Sequence, residues 1–132
     1  MVPEPEITEE ERAAQERARA CSQALGEPTA SNVLFATSSA ALSRDAHQLL
    51  DAVATAAGSC DTFSLRLAGH ADPRGDEASN QRLSERRAAA VQQYLVGQGV
   101  AADALSAAGL GETRSLGGDL AADRRVEITV GG

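Results

Sequence analysis

Apolar and polar positions change period several times along the chain. Residues 62–68 (TFSLRLA) alternate, with Phe63, Leu65 and Leu67 on one side and Thr62, Ser64 and Arg66 on the other, the period of a half-buried strand. Residues 32–36 (NVLFA) form a shorter apolar run ending in the turn Thr37-Ser38-Ser39, and read as a first strand. Between them Ser43 is an N-cap for a helix running to about Ala57. Ala46, Leu49, Leu50, Val53 and Ala57 recur at helical spacing, and Gly58 is the stop. Helical periodicity returns from about Ser79 to Val96, with Leu83, Ala90, Val91, Tyr94 and Leu95 on one stripe. Asp103 falls in a short helical turn, Leu105–Leu110 reads as a third strand, and 111–123 as a polar loop. In the last strand, Arg124–Val130, alternation turns Val126, Ile128, Val130 and Arg124 inward and Arg125 and Glu127 outward.

Residues 4–25 are charged and rich in alanine, with Thr8 and Glu11 in a capping-box pattern, acidic residues early and arginines later. Their weak apolar period predicts a surface helix tethered at Cys21, with 1–7 open to a linker reading. The expected order is thus α, β, α, β, α, β, β, an α/β (α+β) fold with a mixed sheet and helices packed on it. The boundaries are an N-terminal segment, 1–31, and a globular domain, 32–132.

One segment concentrates chemistry. Residues 66–95 pass from strand to polar loop to helix, an arrangement that aims loop side chains and free helical N–H groups at a common point. Arg87 lies about 40° around the helix from Leu83, near the middle of the apolar stripe, whereas Arg82 and Arg86 fall at its edge or beyond. A guanidinium on the buried face needs partners, and the nearest carboxylate in the preceding loop is Asp72. The pattern predicts a charged pair between them.

Composition narrows the classes. The chain has 132 residues, a net charge of −7 and an apolar fraction of 42% carried by Ala, Leu and Val. One core is expected. The acidic balance disfavours nucleic acid and anionic lipid as partners, and no segment is long and apolar enough to insert into a membrane. His70 has His47 as its only histidine companion, so no metal set and no cofactor loop emerges, and His70 reads as a hydrogen-bonded structural imidazole. A Ser84/His70/Asp72 hydrolase lacks a nucleophile elbow. Cys21 and Cys60 are too far apart for a CxxC motif. As an even pair at element ends they suggest a structural disulfide in an oxidising compartment, with two separate buried thiols as the alternative.

Gly69-His70-Ala71-Asp72, Gly75, Asn80, Leu83-Ser84 and Arg87-Ala88 resemble the GH(T/A)D…G…N..LS..RA signature of OmpA-like peptidoglycan-binding domains. The likeness continues through Gly109-Leu110-Gly111-Glu112 and Arg124-Arg125-Val126-Glu127-Ile128, covering roughly 32–130. The Gly-His-Ala-Asp form and the doubled Arg86-Arg87 look most like the peptidoglycan-associated lipoprotein branch. The chain departs from the family pattern at Asp123, where many members carry Asn, and lacks a Pro after Glu112. The resemblance implies a βαβαββ sandwich and noncovalent recognition of the meso-diaminopimelate of the stem peptide by Asp72, Arg87, Asn80 and Ala71, with His70, Leu83 and Arg124 in support. It also implies an envelope location, no turnover, no cofactor, and an upstream membrane or envelope domain that the module anchors to the wall. A module of a motor stator, governed by dimerisation or partner binding, is the alternative. Some envelope members, notably an actinobacterial branch, resemble the placement of Cys21 and Cys60.

Overall fold

The computed structural model describes residues 6–113 and 120–131. The readings of residues 1–5 and of the middle of the 111–123 loop lie outside them. Three long helices begin at side-chain caps: α1 (Glu9–Thr29), α2 (Arg44–Ala57) and α3 (Glu77–Gly97). Thr8 accepts from the Glu11 N–H at 3.1 Å, Ser43 from Ala46 at 3.1 Å, and Asp76 from Ser79 at 2.8 Å. Each cap satisfies one of the helix's orphan donors. Because Asp76 takes the cap, α3 starts earlier than the expected Ser79.

Four strands form one mixed sheet: β1 (Val33–Leu34), β2 (Ser64–Gly69), β3 (Leu105–Gly109) and β4 (Arg125–Gly131), in the order β1-β4-β2-β3. β2 and β3 run parallel across the α3 crossover, while β4 pairs antiparallel with both β1 and β2. The register places Leu67 beside Ile128 on one flank and Ala107 on the other. β1 is shorter than the 32–36 run suggested. A four-residue helix, α4 (Leu120–Asp123), precedes β4.

Leu65, Leu67, Val126 and Ile128 project from the sheet into a core completed by Leu50 and Val53 of α2 and Val91 and Leu95 of α3. α1 also enters this core. Leu25 is fully buried, and Cys21 is bonded to Cys60 with their Cα atoms 5.0 Å apart. The weak period of 4–25 conceals this because only the C-terminal half of the helix is packed; residues 14–20 are exposed. On α2 the inward face is Ala46, Leu50, Val53, Ala56 and Ala57, with Leu49 at its margin. On α3 it includes Asn80, Ser84, Arg87 and Ala88 besides Leu83, Val91 and Leu95, while Ala90 and Tyr94 are half-buried.

Two glycines bring α3 onto the sheet. Gly69 and Gly109 are partners in the β2–β3 register. A Cβ on Gly69 would collide with the Ser84 carbonyl, and one on Gly109 with Ser84 and Glu85. This close approach requires glycine. It sets the depth at which Arg87 lies. Among the described residues no helix is long and apolar enough to cross a membrane.

Candidate functional site

The loop after β2, the first turns of α3 and the turn after β1 enclose a cleft of about 230 Å³. It is lined by Ala71, Asp72, Asn80, Leu83 and Arg87, together with Thr37, Ser38, Arg74 and Gly75. The five residues first named are those the sequence singles out. Arg124 and His70 are outside the lining, Arg124 reaching Asp72 and the His70 carbonyl reaching Arg87.

Arg87 is fully buried. Its Nε donates to the Ser39 carbonyl at 2.8 Å, Nη1 to His70 at 2.9 Å and Nη2 to Ala36 at 3.0 Å. Its guanidinium carbon lies 5.3 Å from the Phe35 ring centroid, within cation–π range. A guanidinium has five N–H donors, so two remain beyond these three bonds. Burial pushes its pKa down to about 10, an effect that the charge of Asp72 opposes, and it stays cationic at neutral pH.

The expected Asp72–Arg87 ion pair is not made. Asp72 Oδ1 accepts from the Arg74 main-chain N–H (3.2 Å) and Nε (3.1 Å); Oδ2 accepts from Arg74 Nη2 (2.9 Å) and Arg124 Nη1 (3.4 Å). Main-chain carbonyls from two loops solvate the Arg87 fork instead, and Asp72 takes the cations nearer the surface. The hydrogen bond from Arg74 is the main cause that holds the Asp72 carboxyl at about 2, well below 3.8.

Asn80 fastens the loop. Its amide nitrogen lies 3.2 Å from the Asp72 carbonyl, 2.8 Å from the Arg74 carbonyl and 3.1 Å from Glu112 Oε2. Ala71 is buried with its N–H bonded to the Gly111 carbonyl at 2.9 Å, so it offers the cleft only its methyl side. Leu83 forms an apolar wall. Ser38, at the rim, has a left-handed backbone (φ 57°), uncommon for a residue with a side chain.

His70 is buried, with Nε2 3.4 Å from Glu127 and its main-chain N–H bonded to the Arg125 carbonyl at 2.8 Å. The Ser84 hydroxyl donates to the Gln81 carbonyl and accepts from the Gly111 N–H. With both Asp72 oxygens on arginines as well, Ser84, His70 and Asp72 do not form a hydrolytic relay. Arg124 turns inward as expected, its Nε on the Phe35 carbonyl at 2.9 Å. Arg125 does face the other side of the sheet, but it is buried there rather than solvated. Its guanidinium meets Glu127 at 2.7 Å and Asp123 at 3.6 Å, and a further contact goes to the Ala122 carbonyl of α4. Strand alternation gives the face and not what covers it. Arg74 carried a signal that sequence reasoning missed: an Asp followed two residues later by a donor before Gly is an Asx-turn pattern. Thr37 and Ser38 had none, being delivered by β1 from a distant part of the chain. Among the described residues no cluster of His, Cys, Asp or Glu is suited to hold a metal.

A four-stranded mixed sheet backed by helices, with a cleft at the β2–α3 junction, is the architecture of the OmpA-like class. Such domains are structural and binding modules, not enzymes, and in general bind peptidoglycan. The chain belongs to the OmpA family, whose model matches residues 34–128. It is 40% identical over 119 residues to outer membrane protein A of Serratia odorifera, spanning 77% of this chain and 49% of that protein. With outer membrane protein A of Klebsiella pneumoniae it shares 39% over 118 residues, spanning 77% and 34%. The chain thus spans half or less of the length of these outer-membrane relatives. The peptidoglycan-associated lipoprotein of Burkholderia pseudomallei superposes with a TM-score of 0.74 at 28% identity, covering 79% of this chain and 93% of that one. The C-terminal domain of Helicobacter pylori MotB has the same fold, with a TM-score of 0.69 at 23% identity over 77% and 84% of the two chains.

Proposed function

We propose that this domain binds peptidoglycan noncovalently through the meso-diaminopimelate of the stem peptide, and so holds a larger exported protein of the cell envelope to the wall. The observation that carries the reading is Arg87. It is a buried, charged guanidinium beside an open cleft, hydrogen-bonded to main-chain carbonyls and set near the Phe35 ring, with no carboxylate in direct contact among the described residues. Burying a cation without a contacting counter-ion is costly unless an anion completes the site. Its two remaining N–H groups suit a carboxylate, which a planar fork grips better than a point charge does. Asp72 supplies the complementary charge for an ammonium.

The distal end of diaminopimelate carries an ammonium and a carboxylate on one carbon. Lysine in the same stem position has only the ammonium. Leu83 and the Ala71 methyl offer apolar contact to the methylene stem, and Asn80 holds the loop that carries Asp72. Membership of the OmpA family, in which peptidoglycan binding is general, supports the same reading. The upstream anchor and attachment to an outer or cell membrane belong to this proposal, supported by the outer-membrane relatives.

Amide-shift titration with a diaminopimelate-containing stem peptide tests it. Saturable shifts at Ala71, Asp72, Asn80 and Arg87, with the lysine analogue much weaker, are expected. Shifts absent there, or equal for the two peptides, would remove the reading.

A further inference from the structure

Two arginines contact Asp72 and a third, Arg87, feels its charge; the three are held very differently. Arg87 is fixed by carbonyls. The side chain of Arg124 is 17% accessible and is anchored by its Nε on the Phe35 carbonyl. The side chain of Arg74 is 54% accessible, and among the described residues its guanidinium bonds to nothing but the Asp72 carboxylate.

That bond is a fork closed on both oxygens, 3.1 Å to Oδ1 and 2.9 Å to Oδ2. The Asp72 side chain is 8% accessible while its Arg74 partner is 54% accessible, so the guanidinium lies on the solvent side of the carboxylate. The Arg74 backbone is pinned, its N–H on Asp72 Oδ1 and its carbonyl on Asn80. The side chain alone is therefore free to leave. A cation approaching Asp72 from the cleft meets a position already taken by a cation.

We infer that Arg74 is an internal competitor for the cation position on Asp72, and that it sets the site's specificity against plain amines. The identity of the favoured ligand rests on the diaminopimelate reading; the competition itself does not. A simple amine must displace Arg74, exchanging one half-exposed charge pair for another while stranding the guanidinium in solvent, and it gains little. A ligand bearing a carboxylate next to its ammonium compensates both groups: the ammonium takes Asp72, and the carboxylate enters a region where Arg87 and the released Arg74 are both donors. Arg74 thus raises the threshold for any ligand that brings only one of the two charges.

The test compares wild type with Arg74→Ala and Arg74→Gln, using cadaverine as an amine without carboxylate and a meso-diaminopimelate tripeptide as the zwitterion. The Asp72 carboxyl carbon shift reads occupancy. Cadaverine should bind Arg74→Ala about threefold to tenfold more tightly than wild type, and Arg74→Gln in between. A gain of affinity is a result that damage to the fold cannot produce. Cadaverine affinity that is unchanged, lower or undetectable at Asp72 in both variants overturns the inference, whatever the tripeptide does. If cadaverine tightens while the tripeptide binds none of the three proteins, the competition stands and the diaminopimelate reading fails.

Discussion

Asp72 and Arg87 border the same cleft but are satisfied by different partners. The carboxylate is gripped by Arg74 and Arg124, and the guanidinium by the carbonyls of Ala36, Ser39 and His70. Neither depends on the other for its bonds in the free protein. Each can therefore be altered with separable consequences, and a ligand that bears both charges is what couples them.

Asp72→Asn keeps the shape but removes the charge facing the ligand ammonium. Binding to a diaminopimelate peptide should weaken by roughly 2–3 kcal/mol, with the fold retained because Arg124 keeps its bond to Phe35. Calorimetric titration reads the loss. If the variant still sediments with insoluble peptidoglycan as well as wild type, Asp72 is structural only.

Acid gives a second view of the same carboxylate. Its folded pKa, about 2, lies below the ordinary 3.8, so the stability it contributes is complete above the unfolded value and vanishes as pH falls through the folded one. Because Arg74 is half exposed, solvent screening reduces the contribution to about 1–2 kcal/mol. Urea denaturation between about pH 4 and pH 2 should show wild type losing more stability than Asp72→Asn by that amount. Equal losses would show that the arginine contacts do not hold in solution.

The inward position of Arg87 was legible from helical periodicity, Asp72 followed as the nearest carboxylate in the preceding loop, and Asn80 came from the family resemblance alone. Their partners were not legible. The acceptors on Arg87 are main-chain carbonyls, which every residue has, and two come from the turn after β1. The same limit hid the burial of Arg125, since alternation gives a face and α4 supplies its cover. The close contact at Gly69 was visible only as a glycine, not as a distance.

That contact carries its own prediction. A methyl on Gly69 would meet the Ser84 carbonyl, a backbone atom that cannot rotate away. Gly69→Ala should cost about 1–3 kcal/mol of stability or more, as overpacking of a tight interface does. It should also weaken ligand binding, because α3 carries Arg87 and Asn80. A variant with wild-type melting temperature would mean that the helix and sheet stand farther apart than described.

Reducing the Cys21–Cys60 bond frees a loop of 39 residues by sequence separation. Chain entropy predicts a loss of roughly 4 kcal/mol for a loop of that size. Ligand affinity should stay within twofold, since neither cysteine lines the cleft. Thermal melts with and without reductant, followed by titration of the reduced protein below its transition, check both halves. A large fall in affinity of folded, reduced protein would tie α1 to the site.

Arg87 provides the most demanding comparison, because its neighbour Arg86 is an internal control on the same helical turn. Arg87 is buried and serves three carbonyls; Arg86 is exposed. Arg87→Ala removes the donors, leaves the three acceptors short of partners and opens space beneath the cleft. It should cost about 3 kcal/mol or more in stability and abolish ligand binding. Arg87→Lys keeps the charge and up to three donors, but no planar fork. It should retain much of the stability while losing at least tenfold in affinity, about 1.4 kcal/mol. Arg86→Ala should change stability by no more than about 0.5 kcal/mol and leave binding near wild type. Denaturant melts and diaminopimelate titrations of the three variants decide the matter together. Binding that survives Arg87→Lys unchanged would show that the ligand carboxylate does not use the fork. Binding lost in Arg86→Ala would show that the ligand sits on the outer face of α3 and not in this cleft.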